Sequence, residues 1–241
     1  MKARGLTLAK ITNIKDPENR NRVKCQPISA DKDVSETDWC YCIAPMAGKN
    51  YGMHCHPQVG DSVLLGYLGD DVHHPIVIGS YWAEQADATY PVKDGVNEIR
   101  SIKTPSGIEI KLDDEKDKQK LSITVPSGTL VSLDDEKKTI SVQDKKAENK
   151  LIINWEKGEI TLAAKTKLTL SAGDTSLTLE SSGNMEGKAS KAVKLTGADV
   201  AIKGNSSVKA DGASVELKAS GMLKAQASGN AVIKGAMVQI N

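Results

Sequence analysis

Phenylalanine is absent from this chain of 241 residues, and no aromatic residue of any kind follows Trp155. A β-solenoid that closes on itself usually stacks aliphatic or aromatic side chains on every rung, so the shortage argues against a single chain building its own core late in the sequence. No apolar run approaches the roughly 20 residues of a membrane-spanning helix. The opening MKARGLTLAKI lacks the apolar stretch of a secretory signal, and the expectation is synthesis in the bacterial cytoplasm with export left to other machinery. Excess charge of one sign is missing too. With 32 basic and 31 acidic side chains the formal charge is +1, which implies no strongly electrostatic partner and no nucleic acid. Histidine stops at His74.

What the chain does have, from about Leu168 onward, is a run of short units repeating every seven to nine residues: VKLTGAD, VAIKGNSS, VKADGAS, VELKASG, MLKAQASGN, AVIKGA and MVQIN. Each holds a few residues of alternating character and breaks at Gly197, Gly204, Gly212, Gly221, Gly229 or Gly235. Period-two alternation puts Val200 with Ile202, and Val215 with Leu217, on one face. A chain that turns after every short strand reads as a β-solenoid or β-prism. Many inward candidates are only alanine, such as Ala198, Ala210 and Ala225. Three chains wound together could close the thin core that one chain cannot, so an intertwined homotrimer is expected. From Lys165 onward ten lysines face six acidic residues, which reads first as a solubility device.

Residues 1–85 read differently. Strands of ordinary length are expected over 6–14, 22–27, 38–44, 51–56, 61–68 and 75–82, separated by turns such as DPENR and PQVGD. This is the pattern of a small Greek-key barrel of the OB type. The segment 86–105 reads as a polar linker. A direct repeat follows, in which SGIEIKLDDE at 106–115 returns as SGTLVSLDDE at 127–136, and a degenerate third hairpin is expected over 149–163. Residues 106–163 are thus expected to form a hairpin neck and 164–241 the short-strand needle. Asp113-Asp114 and Asp134-Asp135 read as solvated hairpin tips rather than as catalytic carboxylates or calcium ligands, because no cleft is in view.

In order and spacing, Trp39-Cys40-Tyr41-Cys42-Ile43-Ala44-Pro45, Ala47-Gly48, Tyr51-Gly52, Pro57–Tyr67 and Gly69-Asp70-Asp71 through His74–Trp82 resemble the spike proteins of contractile injection systems. That family includes VgrG-like type VI secretion proteins, phage baseplate assembly protein V and the T-even phage tail-spike hub. The entry Asn13, Asp16-Pro17-Glu18 and Arg22-Val23-Lys24 resembles its opening motif. The resemblance implies an all-β fold, an N-terminal OB-type barrel followed by an intertwined trimeric β-helix or β-prism needle on the order of 75 Å long with its neck. It also implies a structural, non-enzymatic, cell-puncturing spike without cofactor. Such a spike sits at the centre of the baseplate of a phage tail, an R-type tailocin or a related extracellular injection particle, and touches the target envelope transiently. A barrel that begins almost at Met1 resembles stand-alone spikes whose hub is a separate protein contacting the barrel. Without the terminal His-x-His of some relatives, the end resembles blunt tips capped by a PAAR-type protein. The residues implied for that contact are Met237, Val238, Gln239, Ile240 and Asn241.

Four cysteines fall in the barrel region: Cys25, Cys40, Cys42 and Cys55. Cys40 with Cys42, and His54 with His56, share strand faces. Three readings stand side by side. The cysteines are reduced structural residues, or Cys40, Cys42, His54, Cys55 and His56 contribute to a metal site, or two of the thiols pair. His54 and His56 would otherwise line an interface between copies. A different class of function, an OB module on a stalk binding oligosaccharide or single-stranded nucleic acid, would use aromatics such as Trp39 and Tyr41 in a basic groove. A β-helical depolymerase would need longer rungs and a catalytic constellation that the chain lacks.

Overall fold

The computed structural model describes residues 5–28, 35–71, 73–83 and 88–239. The fold is all-β, with 17 strands and no α-helix among the described residues. The chain divides into two units, Met1–Leu168 and Thr169–Asn241.

The first unit opens with a barrel. Its sheet has the order β2-β1-β6-β7-β3, formed by β1 (Leu6–Asn13), β2 (Lys24–Pro27), β3 (Tyr41–Cys42), β6 (Ser62–Tyr67) and β7 (Pro75–Ser80). All pairings are antiparallel except β3 with β7, where Tyr41 faces Ile76 and Cys42 faces Val77. A bridge between Val23 and Cys40 joins the two ends of that order and closes the ring. Between β3 and β6 lies a small hairpin of β4 (Ala47–Gly48) and β5 (Tyr51–Gly52). The Tyr51 ring lies over Gly48, in the space that a Cβ there would occupy. Alternation along the strands sends Ala9, Ile11, Val63 and Leu65 inward to meet Val23, Cys25, Cys40 and Val77. Each buried aliphatic contributes roughly 1.5–3 kcal/mol by leaving water. The expected strand over 51–56 shrinks to Tyr51–Gly52, and 53–58 carries no strand.

A seven-stranded antiparallel meander follows, in sequential order from β8 (Ile99–Lys103) through β9 (Glu109–Asp113), β10 (Lys120–Thr124), β11 (Leu130–Asp134), β12 (Thr139–Gln143) and β13 (Lys150–Asn154) to β14 (Glu159–Ala163). The 21-residue sequence repeat is visible as the offset between β9 and β11. The Pro-Ser-Gly tips at 105–107 and 126–128 fold identically. Gly107 donates its N–H to Thr104 O and Gly128 to Val125 O, and both glycines sit near φ +90°. An L-residue rarely adopts that conformation, so glycine fixes the tip. The expected linker over 86–105 is corrected at its end: Ile99–Lys103 is the first strand of the sheet, paired residue for residue with β9. Polar composition hid it, since only one of its faces is apolar.

The boundary between the units falls within β15 (Lys167–Ala172), which with β16 (Thr175–Glu180) and β17 (Met185–Lys188) forms a three-stranded sheet. Wide hairpins thus continue to residue 188, past the expected start of the short-strand needle at 164. From 189 to 239 no described residue is in a strand. Bends recur at 190–191, 198, 205–206, 212–213, 220–221, 228–229 and 236, so the spacing of seven or eight residues expected from the glycines is present. The expected short strands are not formed among these described residues: the backbone between bends enters none of the sheets. Ile240 and Asn241 lie outside the described residues.

Candidate functional site

Chemistry-bearing side chains of the barrel are largely committed to one another. Asp16 is buried and accepts hydrogen bonds from the backbone N–H of Glu18, Arg20 and Arg22, and from the Arg22 side chain through Nη2 at 2.7 Å and Nε at 3.0 Å. Those donors, the Arg22 guanidinium first, hold the Asp16 carboxyl well below the usual carboxylate range. Lys24 stands 5.6 Å over the Trp39 ring and Arg22 6.0 Å over Tyr41. Lys24 is also 3.2 Å from Glu36, and Arg22 is also 2.8 Å from Glu18. The aromatic and basic residues that a nucleic-acid groove would use are therefore neutralised by carboxylates at the same place, which weighs against that reading.

The structure divides the cysteine and histidine group. Cys25 and Cys40 are fully buried in the barrel core, Cys42 is half-buried and Cys55 is exposed; all four are free thiols. Thr37 ties the buried pair, accepting from Cys25 N at 3.0 Å while its Oγ1 lies 3.2 Å from Cys40 Sγ. The hydrogen bond shared with Cys40, together with burial, pushes the Cys25 thiol up, and burial pushes Cys42 up to about 11. His54 and His56 stack with ring centroids 5.9 Å apart, and burial followed by His54 lowers the His56 pKa. Cys42, His54, Cys55 and His56 line an open cavity of about 540 Å³ with Tyr41 and Met46. Among the described residues no three histidine, cysteine or acidic side chains converge closely enough to hold a metal ion.

The paired carboxylates of the neck are held by cations or backbone. Asp113 lies 2.8 Å from Lys111 Nζ, Asp114 2.9 Å from Arg100 and Asp135 3.1 Å from Lys138. Asp134 departs from a solvated tip. It is 5% exposed, accepts the Lys137 N–H and sits 3.1 Å from Lys120 Nζ. Burial alone would raise its pKa, but these partners outweigh it and hold it low. All four carboxylates line one open pocket of about 350 Å³, together with Lys120 and Trp155.

Sequence reasoning missed the most extended feature of the molecule, which the strand register creates on the seven-stranded sheet. Ile110, Ile123, Val131, Val142 and Leu151 stand directly opposite one another on five successive strands, and Ile102 and Leu162 extend that row onto the edge strands. A parallel row runs through Leu112, Leu121, Leu133, Ile140, Ile153 and Ile160, with Arg100 at its β8 end. Both rows lie on one face, and that face is open: Ile102 is 62% exposed, Leu133 46% and Ile160 73%. The opposite face is polar and the less accessible one. Ser132 and Ser141 are buried on it with their hydroxyls 2.9 Å apart, and Tyr90 covers its margin, donating to Glu109 at 2.7 Å beneath Lys111. A signal was available in the strict alternation of each strand, but only the pairing shows that the alternations add up.

The segment 190–239 is exposed throughout its described length. Val193, Leu195, Ile202, Leu217, Leu223 and Ile233 are each more than 60% open, and Met237 is 85% open. At the corners a Cβ on Gly204 would overlap the Ser207 carbonyl oxygen, so that turn admits glycine alone. Of the residues implied for a tip contact, Met237, Val238 and Gln239 are exposed, while Ile240 and Asn241 are not described. No helix is long and apolar enough to cross a membrane among the described residues.

Comparison with known proteins bears on the barrel. No curated protein matches the chain. Residues 7–82 match the family of the type VI secretion system/phage-baseplate injector OB domain, and the matched range runs from β1 to just past β7, the whole of the closed barrel. Barrel topology and matched residues coincide, and over residues 7–82 the barrel is similar to the injector OB domain of type VI secretion systems and phage baseplates.

Proposed function

We propose that the protein is the central spike of a contractile injection particle, a homotrimer whose needle is driven through a target envelope when the sheath contracts. The observation that carries this reading is the segment 189–239. It has bends at a regular spacing, no strand among its described residues and its apolar side chains open to water. Backbone N–H and C=O groups beside exposed Val, Leu and Ile form a stable needle only if neighbouring strands satisfy the first and cover the second. Three copies related by a three-fold axis supply both, and the injector OB domain gives the context in which such a needle works.

The role is mechanical, not catalytic. Interleaved chains resist peeling because no strand can leave without breaking hydrogen bonds on both sides. The barrel is the part that meets other baseplate components, a separate hub protein in this reading. The exposed end at Met237–Gln239 is where a PAAR-type cap would sit. The assembled particle is a phage tail, a tailocin or a related extracellular device. Light scattering after size exclusion tests the reading. A species of three times the chain mass of 25.7 kDa that survives detergent without boiling supports it, and a monomer would overturn it.

A further inference from the structure

We infer that the outer face of the barrel carries a binding site for chains of N-acetylhexosamine, built around Trp82 and Ser62. The site stands independently of the trimeric reading above. Where β6 begins and β7 ends, Gly60, Asp61, Ser62, Ser80, Tyr81 and Trp82 line a cavity of about 310 Å³. Alternation along β6 turns Val63 and Leu65 into the core, so Ser62 and Leu64 point outward. Tyr81 stands beside Ser62, donating its backbone N–H to Ser62 O at 3.0 Å. Trp82 leaves 69% of its surface in water. Ser62 is the reverse case: it is 9% exposed, yet among the described residues its hydroxyl has no hydrogen-bond partner. No described side-chain polar atom that is sealed from solvent lacks a partner, so the Ser62 hydroxyl is the part that opens into the cavity. A polar group nine-tenths buried and left unpaired is the mark of a place made for a ligand.

A second hollow, of about 280 Å³, shares Ser80 and Tyr81 with the first and is otherwise lined by Leu8, Leu64, Ile78 and Gly79. Leu8 pairs with Leu64 and Leu64 with Gly79, and a Cβ at Gly79 would meet nothing within 4 Å, so the hollow is the place of a missing side chain. The two cavities together set the ligand. An exposed indole beside a hydroxyl and a carboxylate suits a pyranose, whose C–H face stacks on the ring while its hydroxyls meet Ser62 and Asp61. Asp61 Oδ2 accepts the Gln58 N–H at 2.8 Å, which fixes the carboxylate and leaves Oδ1 for the sugar. No lysine, arginine or histidine lines either cavity, which weighs against a phosphate backbone or an acidic polysaccharide. A plain hexose carries nothing to fill the apolar hollow, whereas the acetamido methyl of an N-acetylhexosamine does.

The test titrates the full chain with chitin oligomers and with cellulose oligomers, the same backbone with and without the acetamido group. Calorimetry and tryptophan fluorescence read binding for wild type, Trp82→Ala, Ser62→Ala, Gly79→Leu and Trp39→Ala, and thermal melts report that each variant folds. Wild type should bind the chitin oligomer about tenfold more tightly than the cellulose oligomer. Trp82→Ala should lose both, and Ser62→Ala should weaken both. Gly79→Leu fills the hollow and should bring the two to equal affinity, while Trp39→Ala should change neither. A wild type that binds neither oligomer, or both equally, would overturn the inference. So would a folded Trp82→Ala chain that binds as before, or a loss through Trp39→Ala, which would move binding to the surface where Lys24 covers Trp39. Sedimentation with particles separates the sources. Retention on peptidoglycan sacculi as well as on chitin points to cell-wall strands, retention on chitin alone points to an unmodified chain, and retention on neither overturns the site. None of these results alters the mass measurement that tests the spike.

Discussion

Arg22 and Asp16 meet side-on within the barrel, with Nη2 2.7 Å from Oδ1 and Nε 3.0 Å from Oδ2, the carboxylate 3% exposed. Three backbone N–H groups converge on the same carboxylate, so the pair ties the loop 17–22 to the start of the strand that delivers Val23 and Cys25 to the core. Asp16→Ala leaves a guanidinium and three amide donors without their acceptor and should lower the thermal midpoint of the barrel by several degrees, while Asp16→Asn should be milder. The acid limb follows from the same contacts. A carboxyl held below its ordinary value of about 3.9 contributes stability that is complete above that value and is lost as pH falls through the lower folded one. Wild type should therefore lose stability below about pH 4 more steeply than Asp16→Ala, as read by thermal melts from pH 7 down to pH 2.

Ser132 and Ser141 share a buried hydrogen bond of 2.9 Å across β11 and β12. Replacing one by alanine strands the other hydroxyl and should cost about 1 kcal/mol. Replacing both should cost less than the sum of the two, giving a coupling of about 1 kcal/mol in a double-mutant cycle by denaturant unfolding.

Lys138 has φ 54° at the β11–β12 tip, and the corresponding position of the β13–β14 tip is Gly158 with φ 67°. The left-handed conformation costs a β-carbon-bearing residue up to about 1 kcal/mol that glycine avoids. Lys138→Gly should therefore stabilise the sheet by about 0.5–1 kcal/mol. The lost ion pair with Asp135 is exposed and offsets little. Gly158→Lys should move the melting temperature the other way.

The cysteines should separate by accessibility. Cys55 is exposed, Cys25 and Cys40 are buried, and Cys42 is half-buried with its thiol pushed up to about 11. A thiolate-directed reagent at neutral pH should modify one cysteine per native chain quickly and all four in denaturant. Fast modification of Cys25 or Cys40 in the native protein would show that the barrel core opens readily.

Much of this protein is legible in local sequence. The barrel strands announce themselves by alternation between turn residues, and the DPENR turn marks the Asp16 knot. The repeat at 106–136 returns as β9 and β11, and the needle glycines fall at or beside bends of the expected spacing. These features depend on backbone preferences and on contacts a few residues apart, which the order of amino acids encodes directly. Register is different. Whether Ile123 stands opposite Val131 or one place away is decided by the pairing of whole strands, and only that pairing turned ordinary alternation into two continuous aliphatic rows. It also recruited Ile99–Lys103 out of an apparent linker and carried Asp134 from a solvated tip to a buried ion pair. It also leaves the described residues of 189–239 outside every strand, although the glycine spacing of that segment is plain in the sequence.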